Sequence, residues 1–166
     1  GAIARLDEPL TIYRQHAGGV SKRFAETMAT SATRVLAETH DRRLGDQAPA
    51  VAAALVAHNM AKAPVRSLAT LRLIGSALVE LEAAFVAERR PDPFDRRLIA
   101  AETEKRWTAI RRAALRAGTL GLDEVTRASQ PKLEASGTQS LLWSGLIGSA
   151  RRARQGLADG ARRRAE

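Results

Sequence analysis

Residues that could act on a phosphate or a metal ion stand together near the start of the sequence, in the stretch Tyr13-Arg14-Gln15-His16. An imidazole at the end of a strand can coordinate a divalent cation through one ring nitrogen while a neighbour orients the other. Arg14 lies two residues before His16, which places both side chains on the same side of a strand. Its guanidinium can donate a charge-assisted hydrogen bond to a phosphate or to a buried carboxylate.

The flanking residues predict the elements that would position this stretch. An apolar strand runs from Ala2 to Leu6, and a turn at Glu8-Pro9-Leu10 leads into a second short strand. A loop of small residues follows from Ala17 to Ser21. The sequence therefore predicts a short β-hairpin or strand pair that ends in a tight loop.

This arrangement resembles the segment that closes the catalytic domain of family 2 glycosyltransferases, which are inverting enzymes with a GT-A fold. The family has an apolar strand there, then an EPL turn, a second strand with Tyr-Arg-x-His, and a small-residue loop that ends in Asn-x-Ser. Gly19 stands where the family has the Asn, which removes one side-chain amide from the loop. We expect the sequence to be the C-terminal piece of a longer protein whose nucleotide-binding half precedes Gly1.

The resemblance implies particular site residues. His16 would lie beside the metal and the diphosphate of the donor, as a contact to the leaving group or as a metal ligand. Arg14, Gly18 and Gly19 would contact substrate, the two glycines by permitting positive φ so that backbone can approach a sugar or phosphate. A divalent cation, Mg²⁺ or Mn²⁺, would serve the parent enzyme. The simpler alternative is that His16 bonds to backbone and that Arg14 pairs with a nearby acidic residue.

The implied reaction transfers a sugar from a nucleotide-diphosphate donor to a hydroxyl acceptor, in the synthesis of a cell-surface polysaccharide or a glycolipid. The acidic metal-binding motif and the catalytic base of the family would lie upstream, so we expect the 166 residues alone to be inactive. The sequence contains no cysteine, which is consistent with a reducing cytoplasm. We therefore expect a cytoplasmic protein that can reach the inner face of the membrane.

The net charge of +9 and the pI of about 11.2 permit attraction to nucleic acid, anionic lipid or phosphorylated sugar carriers. Arginine supplies 23 of the 27 basic residues, a bias that a GC-rich coding sequence also explains, so charge alone selects no partner. The alternative function is a non-enzymatic basic helical module that binds nucleic acid or protein. Acidic residues are interleaved with the arginines, which argues against a nucleic-acid groove.

After Ser21 the spacing of apolar residues changes from two to about 3.6, which predicts helices. The predicted helices lie at 22–43, from Pro49 to just before Pro64, from Pro64 through Phe85, from Pro93 to 117, at 123–129 and at 140–164. The predicted fold class is mainly α, with a short N-terminal β-hairpin or strand remnant of a GT-A domain. We divide the chain into the edge of the catalytic domain (1–22), a helical extension (23–130), and a linker with a basic amphipathic helix (131–166).

The last predicted helix carries a second set of candidate residues. Leu142, Leu146 and Ala150 fall along one side, with Trp143 and Ile147 flanking them. Contacts to a membrane or another anion are predicted for Trp143, Arg151, Arg152 and Arg154. A solvated, fraying tail would explain the same composition, because the helix also contains several glycines that each cost about 1 kcal/mol relative to Ala.

Two further histidines lie on predicted helices. His40 stands near a helix end, where a favourable contact with the helix dipole explains it. His58 follows Leu55 on an apolar face, which is typical of a residue at a helix interface. Neither has a partner at the spacing of a metal site, such as His-x-x-x-His.

Overall fold

The computed structural model describes residues 24–128 and 135–162, with side chains described at 24–128 and 140–155. This part of the chain is helical, which confirms the mainly α prediction. The helices are α1 (Ala25–Leu44), α2 (Ala48–Asn59), α3 (Leu68–Arg89), α4 (Pro93–Ala117), α5 (Leu122–Arg127) and α6 (Ala135–Arg162). The predicted N-terminal hairpin, in residues 1–22, lies outside the described residues.

The helix ends follow local chemistry that the sequence makes visible. Gly45 ends α1 with φ of +49°, and Gly118 ends α4 with φ of +73°, both in a region where a side chain is disfavoured. At the start of α4 the carboxylate of Asp92 accepts hydrogen bonds from the backbone N–H groups of Phe94 and Asp95, both at 2.8 Å. The predicted limits of α1, α2 and α4 are therefore confirmed to within a few residues.

The predicted start of α3 at Pro64 is wrong, because the helix begins at Leu68. Its N-cap is Ser67, whose hydroxyl accepts a hydrogen bond from the N–H of Thr70 at 3.1 Å. The residues before it are not helical, and Val65 among them is buried. Its carbonyl oxygen accepts a hydrogen bond from the hydroxyl of Thr119, 54 residues later, at 2.7 Å. A tertiary contact thus holds this loop, and local sequence does not reveal it.

The helices pack as a series of contacting pairs. α1 packs on α2 across the short 3₁₀ turn Gly45–Gln47, and both contact α3. α3 contacts α4, α4 packs along α6, and the short α5 touches α3, α4 and α6. An ion pair between Arg43 and Glu88 joins the end of α1 to the end of α3.

Two apolar clusters form the core of the described residues. The larger one joins α3, α4, α5 and the first half of α6, and its most deeply buried side chains are Leu71, Ile74, Trp107, Leu115 and Val125. The smaller one lies between α1, α2 and α3, and consists of Leu44, Ala48, Val51 and Ala77. α4 is therefore the central helix, because its buried face contributes to the larger cluster and because it also packs along α6.

Candidate functional site

The predicted catalytic and substrate-binding residues, His16, Arg14, Gly18 and Gly19, lie outside the described residues. The described chain begins at Phe24, one residue before α1. Their roles therefore remain predictions. The described helices show the structure that follows this N-terminal segment in the chain.

α1 turns apolar side chains away from the rest of the bundle. Phe24, Met28 and Val35, which the sequence places on one helical face, are 48%, 45% and 55% exposed. A shallow, largely apolar groove runs beside this face between α1 and α2, and small residues such as Ala29, Ala53 and Ala57 line it. The first helix after the predicted catalytic segment therefore presents an apolar surface to the outside.

α6 begins at Ala135, earlier than predicted, and packs on α4 through small residues. Leu141, Ser144 and Gly148 are buried on this inner side. The hydroxyl of Ser144 donates to the carbonyl oxygen of Ser140 at 2.7 Å, so its burial leaves no unmet hydrogen bond. The small side chains at Ser144 and Gly148 let the two helices approach closely.

The closest approach is at Gly148. A Cβ atom there would overlap the carbonyl oxygen of Leu115 and stand 2.9 Å from its carbonyl carbon. At Gly145 a Cβ atom would lie 3.6 Å from the side chain of Leu122, which is an ordinary van der Waals distance. Gly148 is therefore the residue that lets the α4 and α6 backbones touch, and Gly145 is not.

The large apolar residues of α6 lie on its outer side. Leu142, Trp143, Leu146 and Ile147 are 50%, 63%, 62% and 40% exposed. They follow one another at the i, i+1, i+4, i+5 spacing that forms a single stripe on a helix. We call these four residues the outer stripe. Leu157, which the same pattern would add, lies beyond the described side chains.

Two of the predicted anion-contacting arginines bind the end of α4. Arg151 donates from Nη1 to the carbonyl oxygen of Arg116 at 3.2 Å, and Arg152 donates to that of Leu120 at 2.8 Å. Arg116 lies in the last turn of α4, where the backbone carbonyls lack internal partners and carry partial negative charge, so the Arg151 contact is favourable. Leu120 lies in the loop after the helix, so Arg152 joins α6 to that loop. The acceptors are neutral, and the positive charge of both guanidinium groups remains. Arg154 is exposed one turn further along.

A cleft of about 280 Å³ lies where α1 and α2 meet α3 and α4. His40, His58, Asn59 and Arg106 contribute its polar groups, and its apolar lining includes Leu55, Leu78 and Ile110. Nδ1 of His58 is buried without a hydrogen-bond partner. Arg106 donates from Nε to Oε1 of Glu102 at 3.0 Å, so its charge is already paired.

Burial lowers the pKa of His58 below its usual value of 6.5. A hydrogen bond with the backbone of Ala63 raises this pKa, and the nearby charge of Lys62 lowers it further. The net direction favours the neutral imidazole. His58 therefore lies partly buried at a helix interface, as predicted, although its Nδ1 has no hydrogen-bond partner there.

Arg111 is a buried residue that the sequence analysis missed. It is 2% exposed, its Nη2 donates to the carbonyl oxygen of Val125 at 3.2 Å, and its guanidinium carbon lies 5.6 Å from the centre of the Trp107 ring. Burial lowers its pKa. The sequence contains an indication of this burial, because residues 107, 110, 111 and 114 have the spacing of one buried helical stripe.

The described residues contain neither a metal-binding cluster nor a helix that could span a membrane. Between residues 24 and 128 and in the described part of α6, no group of three or more His, Asp or Glu side chains is placed to hold a metal ion. None of the helices in those residues combines the length and the apolar character that crossing a bilayer requires.

Comparisons with known proteins add no family assignment. No family model, no curated protein and no solved structure matches the chain.

Proposed function

We propose that the chain is the C-terminal part of a family 2 glycosyltransferase, comprising the last strands of the GT-A domain and a helical extension. The observation that carries this proposal is the segment Glu8-Pro9-Leu10 followed by Tyr13-Arg14-Gln15-His16 and a glycine-containing loop. The enzyme transfers a sugar from a nucleotide-diphosphate donor to a hydroxyl acceptor with inversion. Synthesis of a cell-surface polysaccharide or a glycolipid is the corresponding process.

In this proposal each of the four candidate site residues has one task. Arg14 donates charge-assisted hydrogen bonds to a phosphate, and His16 contacts the leaving diphosphate from the same side of the strand. Gly18 and Gly19 let the backbone approach the donor. The described residues contain no ligand set that fits the implied divalent cation, so its ligands would come from the catalytic domain.

The position of α1 supports a role for the helices as a buttress. α1 starts shortly after the predicted catalytic loop, and Met28 and Val35 point away from the helical core. Burying such side chains against a neighbouring domain is favourable by about 25 cal/mol per Å² of apolar surface. We propose that this face packs on the catalytic domain and fixes the strand that carries His16.

The test uses the full-length natural protein that contains this chain. Purified enzyme is incubated with a panel of nucleotide-diphosphate sugars in the presence of Mg²⁺ or Mn²⁺, and release of the nucleoside diphosphate is measured. We expect activity with at least one donor, and a loss on the order of 100-fold in kcat for His16→Ala. His40→Ala, a histidine substitution on α1, is the matched control and should keep its activity.

Two results would contradict the proposal. An active full-length enzyme in which His16→Ala retains full metal-dependent activity removes His16 from the mechanism. Sugar transfer by the isolated 166 residues contradicts the expectation that the donor site requires an upstream domain.

A second candidate function is a non-enzymatic basic module that binds nucleic acid or protein. The observation that favours it is that the guanidinium groups of Arg151 and Arg152 both lie against backbone carbonyls at and just after the end of α4. A salt titration of binding to duplex and single-stranded oligonucleotides distinguishes the two functions. Useful affinity at physiological salt with a steep salt dependence would favour the basic module.

A further inference from the structure

The outer stripe of α6 is a surface that the described helices leave exposed. α6 is held on its opposite side, where Leu141, Ser144 and Gly148 face α4. The helix therefore cannot turn its large apolar residues inward without giving up this contact. The stripe is presented to the outside by a helix whose orientation is fixed.

The composition of the stripe resembles that of an interfacial helix. Trp143 is 63% exposed and combines a large apolar ring with a polar N–H group, a pairing favoured at the boundary of a bilayer. Leu142 directly precedes it, and Leu146 and Ile147 lie one turn after it. Residues of this kind enter the headgroup and acyl boundary to a depth of about 5–10 Å.

The positive charge of the described part of α6 favours an anionic partner for the stripe. Residues 140–155 contain Arg151, Arg152 and Arg154 and no acidic residue. The contacts of Arg151 and Arg152 are to neutral carbonyl oxygens, so these charges remain available to attract an anion. Arginine can extend its apolar stem along such a surface and keep its guanidinium at the level of the phosphates.

A second copy of the chain is a poorer occupant than an anionic surface. Each copy carries a net charge of +9, so joining two copies through this face would bring like charges together. Nucleic acid matches the charge but offers no apolar layer for four large apolar side chains. A bilayer with anionic headgroups matches both properties.

We propose that α6 lies on the surface of an anionic lipid bilayer, with the outer stripe in the headgroup and acyl boundary and Arg154 at the phosphates. The helix lies in the plane of the interface and does not cross the membrane. This inference stands on α4 and α6 alone and holds whether or not the glycosyltransferase proposal is correct.

The test measures binding of the full 166-residue chain to vesicles, by flotation and by tryptophan fluorescence. One set of vesicles contains phosphatidylcholine only, and the other contains equal parts of phosphatidylcholine and phosphatidylglycerol. The chain has two tryptophans, of which Trp107 is fully buried, so a change in emission reports Trp143. We expect flotation and a blue shift with the anionic vesicles alone, and loss of the blue shift in Trp143→Phe.

A matched pair of double variants separates this surface from general apolar exposure. Leu142→Ser with Leu146→Ser removes two side chains that are 50% and 62% exposed. Leu98→Ser with Phe94→Ser removes two on α4 that are 54% and 61% exposed. We expect the first pair to weaken vesicle binding at least about tenfold and the second to leave it within about twofold. Circular dichroism of both variants is the control for loss of helical structure.

Three results would overturn the proposal. The first is equal binding to neutral and anionic vesicles, and the second is an equal loss of binding in the two double variants. The third is a blue shift that depends on protein concentration without vesicles and accompanies dimer formation in light scattering, which would assign the stripe to a second copy. Arg154→Gln adds an independent readout, because it should weaken binding to the anionic vesicles without changing oligomeric state.

Discussion

The α1–α2 hairpin and the α4–α6 pair are both made of two adjacent helices, yet they pack by different means. The hairpin meets α3 through side chains such as Leu44 and Val51. The α4–α6 pair meets through backbone at Gly148, with Leu141 and Ser144 beside it. Apart from Leu141, small residues therefore do the packing in the described part of α6, and four large apolar residues, Leu142, Trp143, Leu146 and Ile147, remain exposed. In a helix of this kind, the most apolar face is not the buried one.

Gly148→Ala tests the backbone contact between α4 and α6 most directly, and we expect it to have the largest effect. The added methyl group would overlap the carbonyl oxygen of Leu115, and because backbone cannot rotate away, the two helices must separate. We expect a loss of about 4 kcal/mol in the free energy of unfolding, measured by urea denaturation followed by circular dichroism.

Gly145→Ala is the matched control on the same helix. Its Cβ atom would make an ordinary contact with Leu122 at 3.6 Å, and alanine favours a helix over glycine. We expect a gain of about 0.5–1 kcal/mol. Equal destabilisation by both substitutions would show that α6 does not cross α4 at Gly148.

A pair of truncations compares the larger core cluster with the outer face of the hairpin. Ile74 is fully buried and Val35 is 55% exposed. We expect Ile74→Ala to cost about 3 kcal/mol and Val35→Ala to change stability by less than about 0.5 kcal/mol, in the same urea assay. A large cost for Val35→Ala in this chain would mean that α1 already buries the face that we assign to the catalytic domain.

The junction between the two regions should respond to pH through His58. Its pKa is lowered in the folded chain, so below pH 6.5 the unfolded chain binds more protons than the folded one. Stability should therefore fall as the pH drops through 6.5 towards the lowered pKa, and rise again as the pH is raised. This is the smallest of the expected effects.

The measurement is urea denaturation across this pH range for the natural chain and for His58→Gln. The variant cannot take up the proton, so the difference in stability between the two chains should shrink as the pH falls. A difference that stays constant with pH would exclude His58 as the origin of the effect.

Much of the helical layout could be predicted from the sequence, because its limits are set by local chemistry. Asp92 followed by Pro93 predicts the start of α4, and Gly45 and Gly118 predict helix ends. The late start of α3 could not be predicted in this way, since the hydrogen bond between Thr119 and Val65 that holds the preceding loop joins distant residues.

The orientation of α6 is the other feature that the sequence left open. Periodicity identified the stripe of Leu142, Trp143, Leu146 and Ile147, but it does not say which side of a helix faces its neighbour. Gly148 was counted as a cost to the helix, whereas in the structure it permits the contact with Leu115. The burial of Arg111 is not evident from its residue type, because arginine usually lies at the surface.

The orientation of α6 can be tested directly by cysteine labelling, because the chain has no cysteine of its own. Ser144→Cys and Leu146→Cys each place one thiol on the helix, at sites that are 0% and 62% exposed. We predict that a maleimide reagent modifies Leu146→Cys rapidly and Ser144→Cys at least about 100-fold more slowly under native conditions, with equal rates in urea. Rapid labelling of Ser144→Cys in the folded chain, or protection of Leu146→Cys, would contradict the outward orientation of the stripe.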